Sequence, residues 1–418
     1  MSRRAGPLLV ALLSCLSWAG PARADLDRVG SFTVTSDDGD WQLRLGLATQ
    51  LQYRLDATDV DLSEDRATED RVIARRVRPT LRGHLVTRDL GYYLHLSAAP
   101  GGVELMDLYV DYAVRPSLRA RIGQWKIPFT RFRIASFKDL TLVDWPIATA
   151  YFGAERQMGV ALHNGYERTP RGLEYEAGVF SGVNARAAHA VGLSRLHGEA
   201  VESPSDLADP APPASIHPEL VAHAAYNLGG IDASSDTDWT GGPLRLSAGL
   251  SAAWDLDPDP AADLSLRLAP EVLAKLRQLS LGLVLYLGFA RRGGSVTEQR
   301  LAMMGALAQL SYLFAQRLEL AARYSVIQID ARVADSARER ADGLIYAETD
   351  IERREALMAQ YRDAGKARRE HEATLGVNLY LIGRSLKLQT DFSWLAHDEA
   401  GGGRRHDLRF RSQLQLAF

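Results

Sequence analysis

Arginine recurs on one alternating face of the early segments: Arg44, Arg54, Arg76, Arg78, Arg82, Arg119 and Arg121, with Arg323 far downstream. A guanidinium keeps its charge at any physiological pH and presents a planar fork of donors to oxyanions. A stack of such forks along one wall would attract anions. The competing explanation is structural, because arginines also brace a wall by pairing with carboxylates. Asp107, Asp111, Glu174 and Glu176 are the available partners. A second group, Arg131, Arg133, Lys138, Asp139 and Asp144, falls in the stretch 127–154. Opposed charges in a narrow aqueous passage sort ions by sign. The bland alternative leaves this group solvated in bulk water.

Catalytic patterns are absent by comparison. His189, His197, His217 and His223 lie in or beside one connection but lack metal-ligand spacing. His371-Glu372 has no second histidine to complete a zinc helix. Ser181 lies in VFSGVN, which is not a nucleophile elbow. The expectation is no enzyme, no metal and no cofactor.

The elements that carry these arginines have a period of two. From Trp41 to Leu55 seven of the eight odd positions are large and apolar, and none of the intervening even ones is. Such a segment is a strand with one greasy and one polar face. The same alternation runs through 244–256, 279–289, 318–326, 386–394 and 408–418. At 327–329 the parity slips by one, because Ile327 and Ile329 are apolar and Gln328 is polar, which suggests a bulge or a rim.

The 418 residues are 46% hydrophobic, so disorder is excluded, and a single Cys15 excludes a disulfide scaffold. A formal charge of -3 argues against a nucleic-acid partner. No apolar run approaches the ~20 residues that a spanning helix needs. A soluble sandwich also alternates, but its strands average ~5–6 residues. The clearest strands here are longer, their polar face is charged, and their apolar face often ends in an aromatic residue. That inside-out arrangement defines an all-β fold, a transmembrane antiparallel β-barrel.

Sixteen strands are expected, near 41–55, 70–86, 91–99, 104–114, 117–126, 155–164, 172–182, 219–228, 243–256, 263–275, 278–290, 301–314, 317–330, 371–382, 385–396 and 405–418. Even-numbered connections are mostly tight, whereas 56–69, 127–154, 183–218, 331–370 and 397–404 are longer. Short turns on one rim and long loops on the other match a bacterial outer-membrane barrel surrounded by lipid. Arg3 and Arg4, the apolar stretch Leu8 to Trp18 and the small residues before Ala24 read as a signal peptide over 1–24. Its removal takes the formal charge to -6. Residues 25–40 read as a polar periplasmic leader and 41–418 as the barrel. Within the outer insertion 331–370, residues 350–364 read as a helix capped by Asp350 and ended by Gly365. Pro204, Pro210, Pro212, Pro213 and Pro218 mark 199–218 as an outer loop.

Several segments resemble the phosphate-selective porins O and P. They are GQWKIPFTRF at 123–132, FGAERQMGVAL at 152–162, GVFSGVN at 178–184, LELAARYS at 318–325, TLGVNLYL at 374–381 and the terminal RSQLQLAF. The resemblance implies a sixteen-stranded homotrimer whose third outer loop, here 127–154, folds in and constricts the pore. It also implies a passive channel for small anionic solutes, phosphate included. Two departures weaken the phosphate assignment. Only Lys126, Lys138, Lys275, Lys366 and Lys387 remain after the leader, and Arg156 is followed by Gln157 where an Arg-Asp pair is expected. A general or cation-preferring porin and a non-conducting surface barrel that binds a partner through its outer loops are the alternatives.

Overall fold

The computed structural model describes residues 32–58, 67–98, 102–153, 156–165, 169, 171–181, 218–256, 265–291, 299–360, 367–399 and 402–418. The signal peptide with Cys15, His189, His197, His217, Gly365 and all but the last residue of 199–218 lie outside them.

Seventeen strands follow in chain order among the described residues. The first nine are β1 (Phe32–Thr35), β2 (Gln42–Thr58), β3 (Ala67–His84), β4 (Leu90–Ser97), β5 (Glu104–Arg115), β6 (Leu118–Lys126), β7 (Arg156–His163), β8 (Gly172–Phe180) and β9 (Glu219–Leu228). The rest are β10 (Arg245–Asp255), β11 (Leu266–Leu276), β12 (Leu279–Arg291), β13 (Gln299–Phe314), β14 (Leu318–Ile329), β15 (Ala367–Ile382), β16 (Leu386–Glu399) and β17 (Arg404–Ala417). Helices are α1 (Arg131–Ile134), α2 (Ile147–Phe152), α3 (Ala331–Ala347) and α4 (Ile351–Gln360).

Strands β2 to β17 pair antiparallel with their chain neighbours, and β17 closes on β2 with Leu414 opposite Leu51. The result is the expected closed barrel of sixteen. The short β1 pairs with the start of β2, Val34 opposite Leu43. It prolongs the edge of β2 beyond the point where Ala417 faces Ala48. The stretch 25–40, read as a leader, thus supplies a strand.

Closure pairs each strand from β2 to β17 on both edges, which is what a strand needs in lipid. It also sets the facing. Leu285 and Leu320 are 40% and 46% exposed on the outside, while Tyr286 and Glu319 beside them are fully buried. Exposed Tyr112, Tyr226, Tyr312, Phe314 and Phe418 lie near the short-turn rim, and Trp254 near the other. Among the described residues no helix is long and apolar enough to cross a membrane.

The expected slip in β14 does not occur. Pairing of β14 with β13 and β15 runs unbroken through Ile327 and Ile329, and both are buried on the same inward face as Glu319 and Arg323. They are apolar because something apolar packs on them from inside. The insertion after β14 also holds more helix than expected. Asp350 does cap α4, accepting from the Arg353 N–H at 2.9 Å. A further helix, α3, precedes it, capped by Asp330 through the Arg332 N–H at 3.0 Å.

Candidate functional site

The object packed on Ile327 and Ile329 is the loop 127–154. Its apolar residues are unusual for a solvated loop: Ile127, Phe129, Phe132, Leu142, Val143, Trp145, Ile147, Tyr151 and Phe152 are all buried. Phe129, Phe132, Ala148, Tyr151 and Phe152 form one cluster with the inward residues Val284, Tyr286, Met303, Leu307, Ile327 and Ile329. Phe152 stacks on Tyr286 with ring centroids 5.2 Å apart. The wall makes room with glycine at two inward positions. A Cβ at Gly282 would lie 2.3 Å from Phe132 Cζ, and one at Gly376 2.3 Å from Leu142 Cδ2.

Buried loop backbone needs partners, and the wall supplies them. The N–H groups of Thr130, Arg131, Val143, Ile147 and Ala148 donate to Ser251, Glu271, Asp391, Glu372 and Ser325 at 2.8–3.1 Å. Carbonyls of Leu140, Thr141 and Asp144 accept from Lys387 (3.0 Å), Asn378 (2.6 Å) and Arg323 (2.7 Å). The loop therefore lies inside the barrel, against β10 to β16.

A second segment enters from the opposite rim. The connection 229–244 belongs to the rim of tight turns, yet it runs sixteen residues and buries Ile231, Ala233, Ser235, Asp236, Thr237 and Asp238. Lys275 Nζ donates to the carbonyls of Asp232 (2.6 Å), Ser235 (2.7 Å) and Thr237 (2.9 Å). Arg245 pairs with Asp238 at 2.7 Å, and Trp239 meets Tyr380 edge-on at 4.6 Å. Burial pushes the Asp236 carboxyl above the usual carboxylate range, against the hydrogen bond from Gln309. Asp232 is also penalised by burial, but Ser234 and Arg384 hold it below that range. Thr237 reaches Thr141 of the loop at 3.4 Å, so the two segments meet inside. The alternation of strands gave no sign of this second segment. The signals available were its length and the two inward lysines, Lys275 and Lys387.

What stays open is the side facing β2 to β8. There a cavity of about 980 Å³ is lined by wall residues and one face of the loop. Ten basic side chains line it (Arg44, Arg78, Arg82, Arg88, Arg119, Arg121, Lys126, Arg131, Lys138 and Arg156) against five acidic ones (Asp107, Asp111, Asp139, Glu174 and Glu176).

The arginines singled out from the sequence thus divide. Arg44, Arg78, Arg82, Arg119 and Arg121 line the cavity. Arg54, Arg76 and Arg323 do not; they brace. Arg54 pairs with Asp56. Arg76 is fully buried, 3.1 Å from Asp144 and under the rings of Phe137 and Trp145. Arg323 pairs with Glu372. All four inward carboxylates lie beside an arginine, but only Asp111 and Glu176 take one from the wall set read from the sequence. Asp111 holds Arg119 and Arg121, Asp107 holds Arg156 at 2.8 Å, Glu174 holds Arg131 at 2.8 Å, and Glu176 lies 3.7 Å from Arg121.

The loop charges divide as well. Arg131, Lys138 and Asp139 line the cavity. Arg133 and Asp144 do not. Arg133 is buried with its guanidinium 4.6 Å over Trp145, and Asp144 takes Arg76 and Arg75. Sequence parity missed Lys126, which donates to the carbonyls of Arg133 (3.1 Å) and Ala135 (3.2 Å), and Arg156.

A closed antiparallel barrel with a greasy exterior, a charged lumen and two inward segments is the architecture of a porin-type channel. Comparison with known proteins agrees. The model of the family described as phosphate-selective porin O and P matches residues 47–204, which carry most of the arginine face and the whole inward loop. The resemblance read from the sequence holds over that stretch. Among solved structures, the outer membrane channel DcaP of Acinetobacter baumannii is similar at TM-score 0.55 and 12% identity, covering 92% of this chain and 99% of that one. The anion-selective porin from Comamonas acidovorans matches at 0.55 and 11%, over 90% and 100%. OprB of Pseudomonas putida in its high-pH structure matches at 0.50 and 12%, over 91% and 95%. At such identities the likeness is one of fold. Comparison with curated proteins finds no match. The chain is a bacterial outer-membrane β-barrel with a porin-like fold.

Proposed function

We propose that this barrel is a passive channel whose open path runs along β2 to β8, and that it favours small anions, phosphate included. The observation that carries the reading is the excess of ten basic over five acidic side chains around the cavity. A wall of one sign in a low-dielectric surround raises the local concentration of the opposite ion. Loop 127–154 acts as the constriction by filling the far side of the lumen, and Arg131, Lys138 and Asp139 are the charges it turns toward the path. The family match points the same way, and it also suggests assembly as a trimer.

The test is the zero-current potential of the purified protein in a planar bilayer across a KCl gradient, repeated with phosphate added. Chloride selectivity with block by phosphate supports the reading. Anion selectivity without block leaves a general anion porin. Cation selectivity rejects the proposal, and absence of conductance returns the surface-barrel alternative.

A further inference from the structure

One row of inward-facing residues crosses seven strands of the open wall. Arg44 lies opposite Arg82, Arg82 opposite Tyr93, Tyr93 opposite Tyr109, Tyr109 opposite Gly123, Gly123 opposite Gly159, and Gly159 opposite Phe180. Two features of this row suit a ligand. First, like charges directly opposite on neighbouring strands repel. Arg44 and Arg82 are both exposed to the cavity, and among the described residues neither has a carboxylate within ion-pair distance. The other cavity arginines in direct salt bridges, Arg119, Arg121, Arg131 and Arg156, each have an acid. Second, a water-filled lumen has no need of aromatic rings on its wall. Yet Tyr93 and Tyr109 line the cavity half-buried, their centroids 5.4 Å apart and their planes tilted by 35°.

Glycine at position 123 is required by this arrangement. A Cβ there would sit 2.6 Å from the Tyr109 Cα, and the backbone φ is +137°. Glycine there lets the β5 backbone approach closely, since the atoms a Cβ would meet are the Leu108 carbonyl oxygen and the Tyr109 Cα. The ring face already takes a planar cation, because the Arg121 guanidinium lies 4.4 Å from its centroid. From one end to the other the row offers two unpaired guanidinium forks and then two tyrosine rings. A planar acid would satisfy both, with its carboxylate bridging the forks and its ring lying on the tyrosines.

We infer that this row is a binding step for anions that carry a flat ring, the aryl carboxylates, within the anion path proposed above. It rests on that reading but asks more of the wall, since a purely electrostatic path would treat all monoanions of one size alike.

The experiment is block of KCl current through the full-length channel in a planar bilayer by benzoate, cyclohexanecarboxylate and inorganic phosphate. Benzoate and cyclohexanecarboxylate share a carboxylate and a six-membered ring and differ in the flat aromatic face. Benzoate should block at about three- to ten-fold lower concentration than cyclohexanecarboxylate, the size of one aromatic contact. Tyr109→Leu should remove that ratio while leaving block by phosphate in place, and Tyr109→Phe should keep it. Arg44→Gln with Arg82→Gln should weaken block by both carboxylates. Equal block by the two carboxylates, or a benzoate preference that survives Tyr109→Leu, would overturn the inference while leaving the anion channel standing. A channel that no anion blocks would remove the anion reading and this inference together. Heat-modifiable mobility of each variant on gels separates loss of binding from loss of folding.

Discussion

Asp144 distinguishes a charge that faces a pore from one that holds a loop. Its Oδ1 accepts from Arg76 at 3.1 Å and its Oδ2 from Arg75 at 3.3 Å, while its own carbonyl accepts from Arg323 at 2.7 Å. The Arg76 side chain is fully buried and that of Asp144 is 3% exposed. Removing one partner of such a pair strands the other charge away from water, which costs about 3–5 kcal/mol. Asp144→Asn should therefore lower the urea midpoint of the folded barrel in detergent. It should also make single-channel currents larger and noisier, because the loop loses the tie to β3 while its apolar face still holds it to β12 to β14. The zero-current potential should move little. Arg76→Met combined with Asp144→Leu should recover part of the lost stability, since a matched apolar pair leaves no stranded charge. If Asp144→Asn instead keeps the wild-type midpoint and noise but shifts ion selectivity, the carboxylate faces the passage and the brace assigned here is wrong.

Three other outcomes are expected. Leu285→Arg and Leu320→Arg each place a charge on the lipid face near mid-strand and should cost about 2–4 kcal/mol, read as failed assembly or a lower urea midpoint; normal assembly of both would mean the facing is inverted. Asp236→Asn keeps an acceptor for Gln309 and removes a buried charge. Because the folded-state carboxyl sits above its ordinary value, the wild type loses stability as pH rises from that ordinary value through the raised one. The variant should accordingly be the more stable at pH 7.5, with its advantage gone at pH 4, and an equal advantage at both would reject this account. Arg277 and Gln278 form a hairpin turn with φ of 47° and 70°, a left-handed pair that L-residues adopt at a cost of roughly 1–2 kcal/mol each, so Gln278→Gly should raise the midpoint, and a lowered midpoint would show that the Gln278 side chain matters more than its backbone.

The strands were legible because lipid enforces the pattern. Nearly every outward residue of β2 and β14 is apolar whatever lies inside, with Thr49 and the rim residue Gln328 as exceptions, so period two survives along these strands. Inside the barrel no such rule holds. Ile327 and Ile329 broke the pattern and read as a slip, although they mark where α2 docks. Val284, Tyr286 and Leu307 carried the same signal on neighbouring strands and were hidden by the apolar residues beside them. Parity also identified the face of Arg44 and Arg76 correctly but could not separate their roles. Arg44 looks into open space, whereas Arg76 lies under Phe137 and Trp145, and that difference depends on a loop about sixty residues away. The connection 229–244 was illegible for a related reason. Its anchors, Lys275, Arg384 and Tyr380, come from distant strands, and nothing local requires a turn to fold inward.

The two halves of the wall have divided the work. From β10 to β16 many inward positions carry small or apolar residues, such as Gly282, Val284, Gly376 and Ile327, or polar groups that end on loop backbone, such as Ser251, Glu372 and Lys387. An apolar patch inside a water-filled barrel is as unstable as one on a soluble surface, so this half demands an insert, and 127–154 with 229–244 supplies it. From β2 to β8 the cavity is lined mostly by charged, polar and aromatic inward residues, which tolerate water. The position of the path is therefore set by where the wall can remain wet. Its sign follows from which charges are left over once the insert has taken its own. Arg76, Arg133, Asp144 and Arg323 are used in holding the insert, while Arg44 and Arg82, with no acid beside them, face the water that remains.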